Sequence, residues 1–292
     1  MISFDTNDSG FSLLKIKNAA ARATISPYGG QILSFIPEDG DDLLFLSRES
    51  FFSAGKAIRG GIPVCWPWFG PHPRDAALPQ HGFVRTMPWR LAQTEETADS
   101  TNVILECVST SETRALWPHD FRLAISFSVG KTLKITLTTT NTGGTPFAIT
   151  DALHTYFRIG DISLATVIGL EGATYLDRVG PEATKEQEGA VSVSGETDRV
   201  YYSATPCSVV DESAKKRVTV EKVGFPDTIV WNPWIDRAKS MADFGDDEYK
   251  TMLCAEAGSV RGNAINVAPG VSVTQRMALV PVRSGAAGGS AK

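Results

Sequence analysis

Three segments gather residue types that can move protons or hold anions. The longest runs from Arg59 to Arg85, RGGIPVCWPWFGPHPRDAALPQHGFVR, and sets two arginines at its ends with His72, Gln80, His81 and a cluster of aromatics between them. A guanidinium presents a planar donor fork that matches phosphate oxygens, and a glutamine amide offers a donor and an acceptor to a sugar hydroxyl. Arg59 and Arg85 together therefore suggest an anion site, with surface ion pairing as the alternative. Trp66, Trp68 and Phe69 either offer flat faces to a pyranose or fill a sheet edge, since tryptophan is usually largely buried. The second segment, DALHTYFRIGDI, puts His154 at the end of a strand-like run among aromatic neighbours. A lone histidine in that setting is more often a structural hydrogen-bonding group than a catalyst. The third, MLCAEAGSV, embeds Glu256 in apolar sequence, where a carboxylate is costly to bury without a partner or a catalytic purpose.

Competing chemistries lack their residues. The chain has four histidines and contains no HExxH, CxxC, GxGxxG or GxxxxGK[ST] pattern, so metal hydrolysis and nucleotide binding are without their usual ligands. A net charge of -5 gives no long-range attraction to nucleic acid or to an anionic membrane, and a phosphate site has to be a local basic pocket. Cys65, Cys107, Cys207 and Cys254 are scattered and read as buried thiols of a reducing compartment. The opening MISFDTNDSG has neither a basic nor an apolar leader character, and no apolar run reaches membrane-spanning length, so a cytoplasmic location is expected.

The elements that position these residues are strands. Alternation of apolar and polar residues recurs in Val103-Leu105-Cys107, in Leu123-Ile125-Phe127-Val129, and in Leu133-Ile135-Leu137. The last two flank a Gly130-Lys131 turn and predict a hairpin. The same period returns in Val218-Val220 and in Val271-Val273 followed by Met277 and Leu279. Helical signals are confined to a turn or two at Ser111–Leu116 and Asp246–Met252. Without a βαβ rhythm, an internal repeat or a linker, the expectation is an all-β fold: a large antiparallel β-sandwich with few short helices, forming one domain over residues 1–282. Residues 283–292 lack large apolar groups and are expected to be a disordered tail.

Taken in order, RGGIPVCWPWFGPHP, LPQHGFVR, DALHTYFRIGDI, ETDRVY, VWNPWIDRAKSMADFGDDEY and MLCAEAG resemble the D-hexose-6-phosphate mutarotases of the aldose 1-epimerase family. The early ISPYGGQILSF is similar to the first strands of galactose-mutarotase-like proteins. The resemblance implies a galactose-mutarotase-like supersandwich that interconverts the α and β anomers of glucose 6-phosphate and related hexose 6-phosphates, without a metal or organic cofactor. By position, it makes His154 the catalytic acid and Glu256 the catalytic base. It also makes Arg59, Gln80, Arg85 and Asp198 substrate-binding residues, with the arginines as phosphate clamp and His81 facing the sugar. Arg158 and the stretch from Gly169 to Gly195 match no part of the pattern. Two alternatives stay open: a mutarotase of unphosphorylated aldoses, which needs no anion clamp, and a non-catalytic sugar-phosphate-binding or sensor protein, which needs no His/Glu pair.

Overall fold

The computed structural model describes residues 1–283; of the tail expected over 283–292, Arg283 instead ends the strand Ser272–Arg283, opposite Lys216, and the rest lies outside the described residues. Among these, strands dominate and only two α-helices occur, Ser111–Leu116 and Trp234–Lys239. The first is the helical turn read from the sequence, started by a reciprocal pair of hydrogen bonds between Thr110 and Thr113. At Asp246–Met252 the chain makes a short 3-10 turn, Glu248–Thr251. The second α-helix was not expected, because six residues between Pro233 and a polar loop carry too little apolar periodicity to register.

Two antiparallel sheets, of nine and eight strands, carry the fold, with a four-stranded and a two-stranded sheet beside them. The predicted hairpin forms inside the nine-stranded sheet, beside its central strand Ser272–Arg283, where Phe121–Val129 pairs with Leu133–Asn141 in unbroken register from Phe121↔Asn141 to Val129↔Leu133. Its alternate residues Leu123, Ile125, Phe127, Ile135 and Leu137 are buried, as a sheet with one inward face requires. They share one core with Leu153, Val230, Leu253, Ala255 and Ala257 of the eight-stranded sheet. Polar contacts also cross the gap, from Trp66 Nε1 to Thr139 Oγ1 at 3.1 Å and from Gln275 Nε2 to Asp151 Oδ1 at 3.1 Å. The architecture is the β-sandwich that the alternation predicts.

The strand Met252–Ser259 decides where the site lies. It is buried on both faces. Leu253, Ala255 and Ala257 point into the sandwich core, so Cys254 and Glu256 point to the opposite face of the eight-stranded sheet. That face is covered by loops, the Arg59–Arg85 segment among them, and the loop's path is set by close backbone approaches. Gly82 has φ +71°, and a Cβ there would lie 1.8 Å from the Trp66 carbonyl oxygen. No side chain fits without moving the backbone that carries His81, which itself has φ 62°. Gly82→Ala is therefore expected to lower the unfolding free energy by at least ~3 kcal/mol, the upper part of the range for single substitutions. Denaturant titration measures this, and a loss under about 1 kcal/mol would show that the loop yields.

Candidate active site

Two short strands, Asp151–Leu153 and Tyr156–Arg158, pair with Met252–Ser259, with Leu153 opposite Ala257 and Tyr156 opposite Cys254. The intervening His154 falls across from Glu256 in the same register, on the outer face. Directly opposed residues in a sheet share a face and lie within side-chain reach. His154 Nδ1 accordingly sits 3.3 Å from Glu256 Oε1. On Glu256's other side, Ile229 of the strand Asp227–Asn232 lies opposite it, and Trp231 of that strand lies opposite Asp198. The His154 ring stacks on Tyr156 at 4.6 Å and 9° and meets the edges of His81 and Trp231 at 5.7 and 6.0 Å. Register alone thus assembles an imidazole, two carboxylates and an aromatic wall.

A pocket of about 180 Å³ opens over this face, and Arg59, Gln80, His81, Arg85, His154, Asp198 and Glu256 all line it. All seven residues singled out in the sequence are brought together. Phe69 and Trp231 border the same pocket, whereas Trp66 is fully buried and Trp68 donates its Nε1 to the Pro79 carbonyl at 2.8 Å. Of Trp66, Trp68 and Phe69, Phe69 is the one that faces this site.

The acid/base candidates are deeply buried, with Glu256 1% and His154 6% exposed. Burial, reinforced by Asp198, pushes the Glu256 carboxyl well above its ordinary range. Burial, reinforced by the Arg85 and Arg59 cations, pushes the His154 imidazole well below its own. Both shifts favour a neutral pair that holds one proton, resting on the carboxyl. Neither His154 Nδ1 nor Glu256 Oε2 has a hydrogen-bond partner among the described residues. His81 is likewise held neutral, by burial and by Arg85. Its Nδ1 accepts from the Gly70 amide at 3.2 Å, which places its proton on Nε2.

The arginines differ in how far their charge is already used. Arg59 donates through Nε and Nη2 to Asp243 at 3.0–3.2 Å and through Nη1 to the Tyr156 hydroxyl at 3.0 Å. Arg178 lies 3.5 Å from Asp198 and over the ring of Phe69. Arg85 donates Nη2 to the Gln80 carbonyl at 2.9 Å, leaves Nε without a partner, and has no carboxylate beside it among the described residues. Burial, with the neighbouring Arg59, weakens its hold on its proton, and the more distant Asp243 offsets this only in part.

The model for the family described as aldose 1-epimerase matches residues 12–280. The chain belongs to the aldose 1-epimerase family. A Cenchrus ciliaris protein provisionally named glucose-6-phosphate 1-epimerase is 41% identical, the match covering 90% of this chain and 82% of that one. An Escherichia coli protein of the same provisional name is 39% identical over 84% of this chain and 82% of its own. The crystal structure of a Salmonella typhimurium protein described provisionally as a mutarotase superposes with a TM-score of 0.90 at 32% identity, covering 97% and 94% of the two chains. This epimerase also has pocket residues that sequence reasoning did not assign. Trp231 and Arg237 line the pocket, while Tyr156 stacks behind His154 and Asp243 holds Arg59; all four lie inside the matching motifs, but nothing local distinguishes them from packing residues. Arg178 comes from the unmatched Gly169–Gly195 stretch and reaches the pocket because Asp177 pairs with Arg199 in the sheet.

Proposed function

We propose that this epimerase interconverts the α and β anomers of D-glucose 6-phosphate and related hexose 6-phosphates. The observation that carries the reading is the 3.3 Å His154–Glu256 pair set in one pocket with Arg85, a guanidinium whose Nε has no partner. Anomer exchange requires that the O1 proton leave as a proton reaches the ring oxygen O5, so two carriers sharing one proton suffice. In the reactive arrangement the Glu256 carboxylate takes the O1 proton, the O1 electron pair closes the C1=O1 bond, and C1–O5 breaks. O5 receives its proton from the His154 imidazolium. The open chain then sits over neutral His154 and protonated Glu256, the state that burial favours. Rotation about C1–C2 presents the other carbonyl face; O5 attacks, His154 recovers its proton, and Glu256 returns one to O1. The proton count of the pair is unchanged by the cycle. Arg85 holds the phosphate, with Arg59 beside it, while Gln80, the His81 Nε2–H and Asp198 contact hydroxyls. Binding energy from the phosphate end keeps the reacting carbon in place. The four cysteines are free and buried, which suits a cytoplasmic setting. Among the described residues no helix is long and apolar enough to cross a membrane.

Anomer exchange followed by NMR saturation transfer tests the reading. Glucose 6-phosphate should exchange faster than its spontaneous rate at catalytic enzyme concentration, and free glucose far less. Equal acceleration of both would identify an unphosphorylated-aldose mutarotase, and acceleration of neither would make the pocket a binding site only.

A further inference from the structure

Cys254 lies two residues before Glu256 on the strand Met252–Ser259 and therefore on the same face. One ligand atom each from His154, Cys254 and Glu256 lie within 4.8 Å of one another, and all three residues are buried. We propose that these three side chains form a site for a thiophilic divalent cation of the zinc class, and that its occupation switches off the proton transfer assigned above.

The donor set is one imidazole nitrogen, one thiolate and one carboxylate oxygen, leaving a fourth position open, as in three-ligand zinc sites. Two of the legs are already correctly spaced. Ligand atoms at about 2.0–2.1 Å from a tetrahedral ion stand roughly 3.3–3.4 Å apart, and His154 Nδ1 and Glu256 Oε1 are 3.3 Å apart. The same nitrogen has no hydrogen-bond partner in the folded chain, nor does the second carboxylate oxygen, Glu256 Oε2. Among the described residues the Cys254 thiol makes one hydrogen-bond-like contact, to Met252 Sδ at 3.7 Å, which a metal would replace. Binding releases two protons to solvent, one from the thiol and the one resting on Glu256, so affinity rises with pH. His154 and Glu256 border the pocket, which gives the ion an entry path and turns the open fourth position toward the sugar site. Because the ion and the sugar need the same two side chains, inhibition should be competitive.

The inference rests on the proposed function only for its inhibitory half, so binding and activity are measured separately. Cd²⁺ titrated into the full chain, in buffer free of thiols and chelators, should produce a thiolate-to-metal charge-transfer band saturating at one equivalent. Zn²⁺ should displace it and slow glucose 6-phosphate exchange, with relief at high substrate. Cys254→Ser should abolish the band and weaken Zn²⁺ inhibition by more than the ~100-fold that loss of an outer-shell partner costs, while exchange without metal persists. His154→Asn should weaken Cd²⁺ binding even though it cannot be scored by activity. A band that survives Cys254→Ser would place the metal on Cys65, Cys107 or Cys207 and overturn the proposal, as would a Zn²⁺ effect equal in wild type and variant. Full Cd²⁺ binding in a protein that exchanges no sugar would support the site and refute the assigned activity instead.

Discussion

His154→Asn and Glu256→Gln should each reduce kcat for anomer exchange by about 10²–10⁴, the usual contribution of a positioned proton carrier, with KM within a few-fold of wild type. Both replacements keep size and polarity, and neither leaves a new buried charge, so folding should be retained. The two groups pass one proton between them and act as a unit, so the double variant should be little worse than either single one. A variant that kept more than about a tenth of wild-type kcat would remove its residue from the mechanism. The pH profile gives a second readout. A pair holding one proton loses its base when it takes up a second, and this happens only below the lowered value of His154. The acid limb of kcat/KM should therefore fall below pH 6.5, the ordinary histidine value. A midpoint at or above that value would mean that His154 is not shielded as its burial and the Arg85 and Arg59 charges require. At the other end, activity is lost when the single proton leaves, which the raised value of Glu256 moves upward from the ordinary carboxylate range. The limbs belong to the pair and not to either residue alone.

Much of this site can be read before folding because its chemistry sits in strands. A carboxylate in MLCAEAGSV has to face away from Leu253, Ala255 and Ala257 by the two-residue period alone, and the structure puts those three in the core. What the period cannot say is which strand lies alongside. That His154 and Glu256 are cross-strand neighbours follows from register across about a hundred residues of intervening chain, and only the family resemblance anticipated it. Loop aromatics are harder still. Trp66 and Phe69 stand three residues apart in a segment without regular period, yet one is sealed in the core against Thr139 and the other borders the pocket. The helix Trp234–Lys239 and Arg178 escaped for different reasons. The helix is too short to show a pattern, and Arg178 is brought to Asp198 by pairing between the strands Thr174–Asp177 and Thr197–Tyr201, whose partner choice no local residue encodes.

The two arginines read together from the sequence should also separate by experiment. Arg85→Ala removes a cation with no carboxylate in direct contact, so its main loss should fall on the anion, while the His154 value rises because one of its two repelling charges is gone. Hydrogen bonds to charged groups are worth about 1.5–3 kcal/mol, or roughly 10–150-fold, and KM for glucose 6-phosphate should rise by that factor while KM for free glucose stays close to wild type. Arg85→Lys should restore part of the loss, since an ammonium keeps the charge but not the planar fork. Arg59→Ala acts differently because Asp243 and the Tyr156 hydroxyl already occupy its donors. Its removal leaves Asp243 without its charge partner in a site where both side chains are about four-fifths buried. The expected result is a lower unfolding free energy together with weaker binding of both sugars, because the floor under His154 and Tyr156 loosens. Asp243→Asn in the Arg59→Ala background should then recover stability without recovering affinity. If Arg85→Ala raised KM equally for phosphorylated and free sugar, Arg85 would be a general pocket residue. A phosphate-selective loss confined to Arg59→Ala would transfer the anion-binding role to Arg59, which would then have to exchange Asp243 for the substrate when it binds.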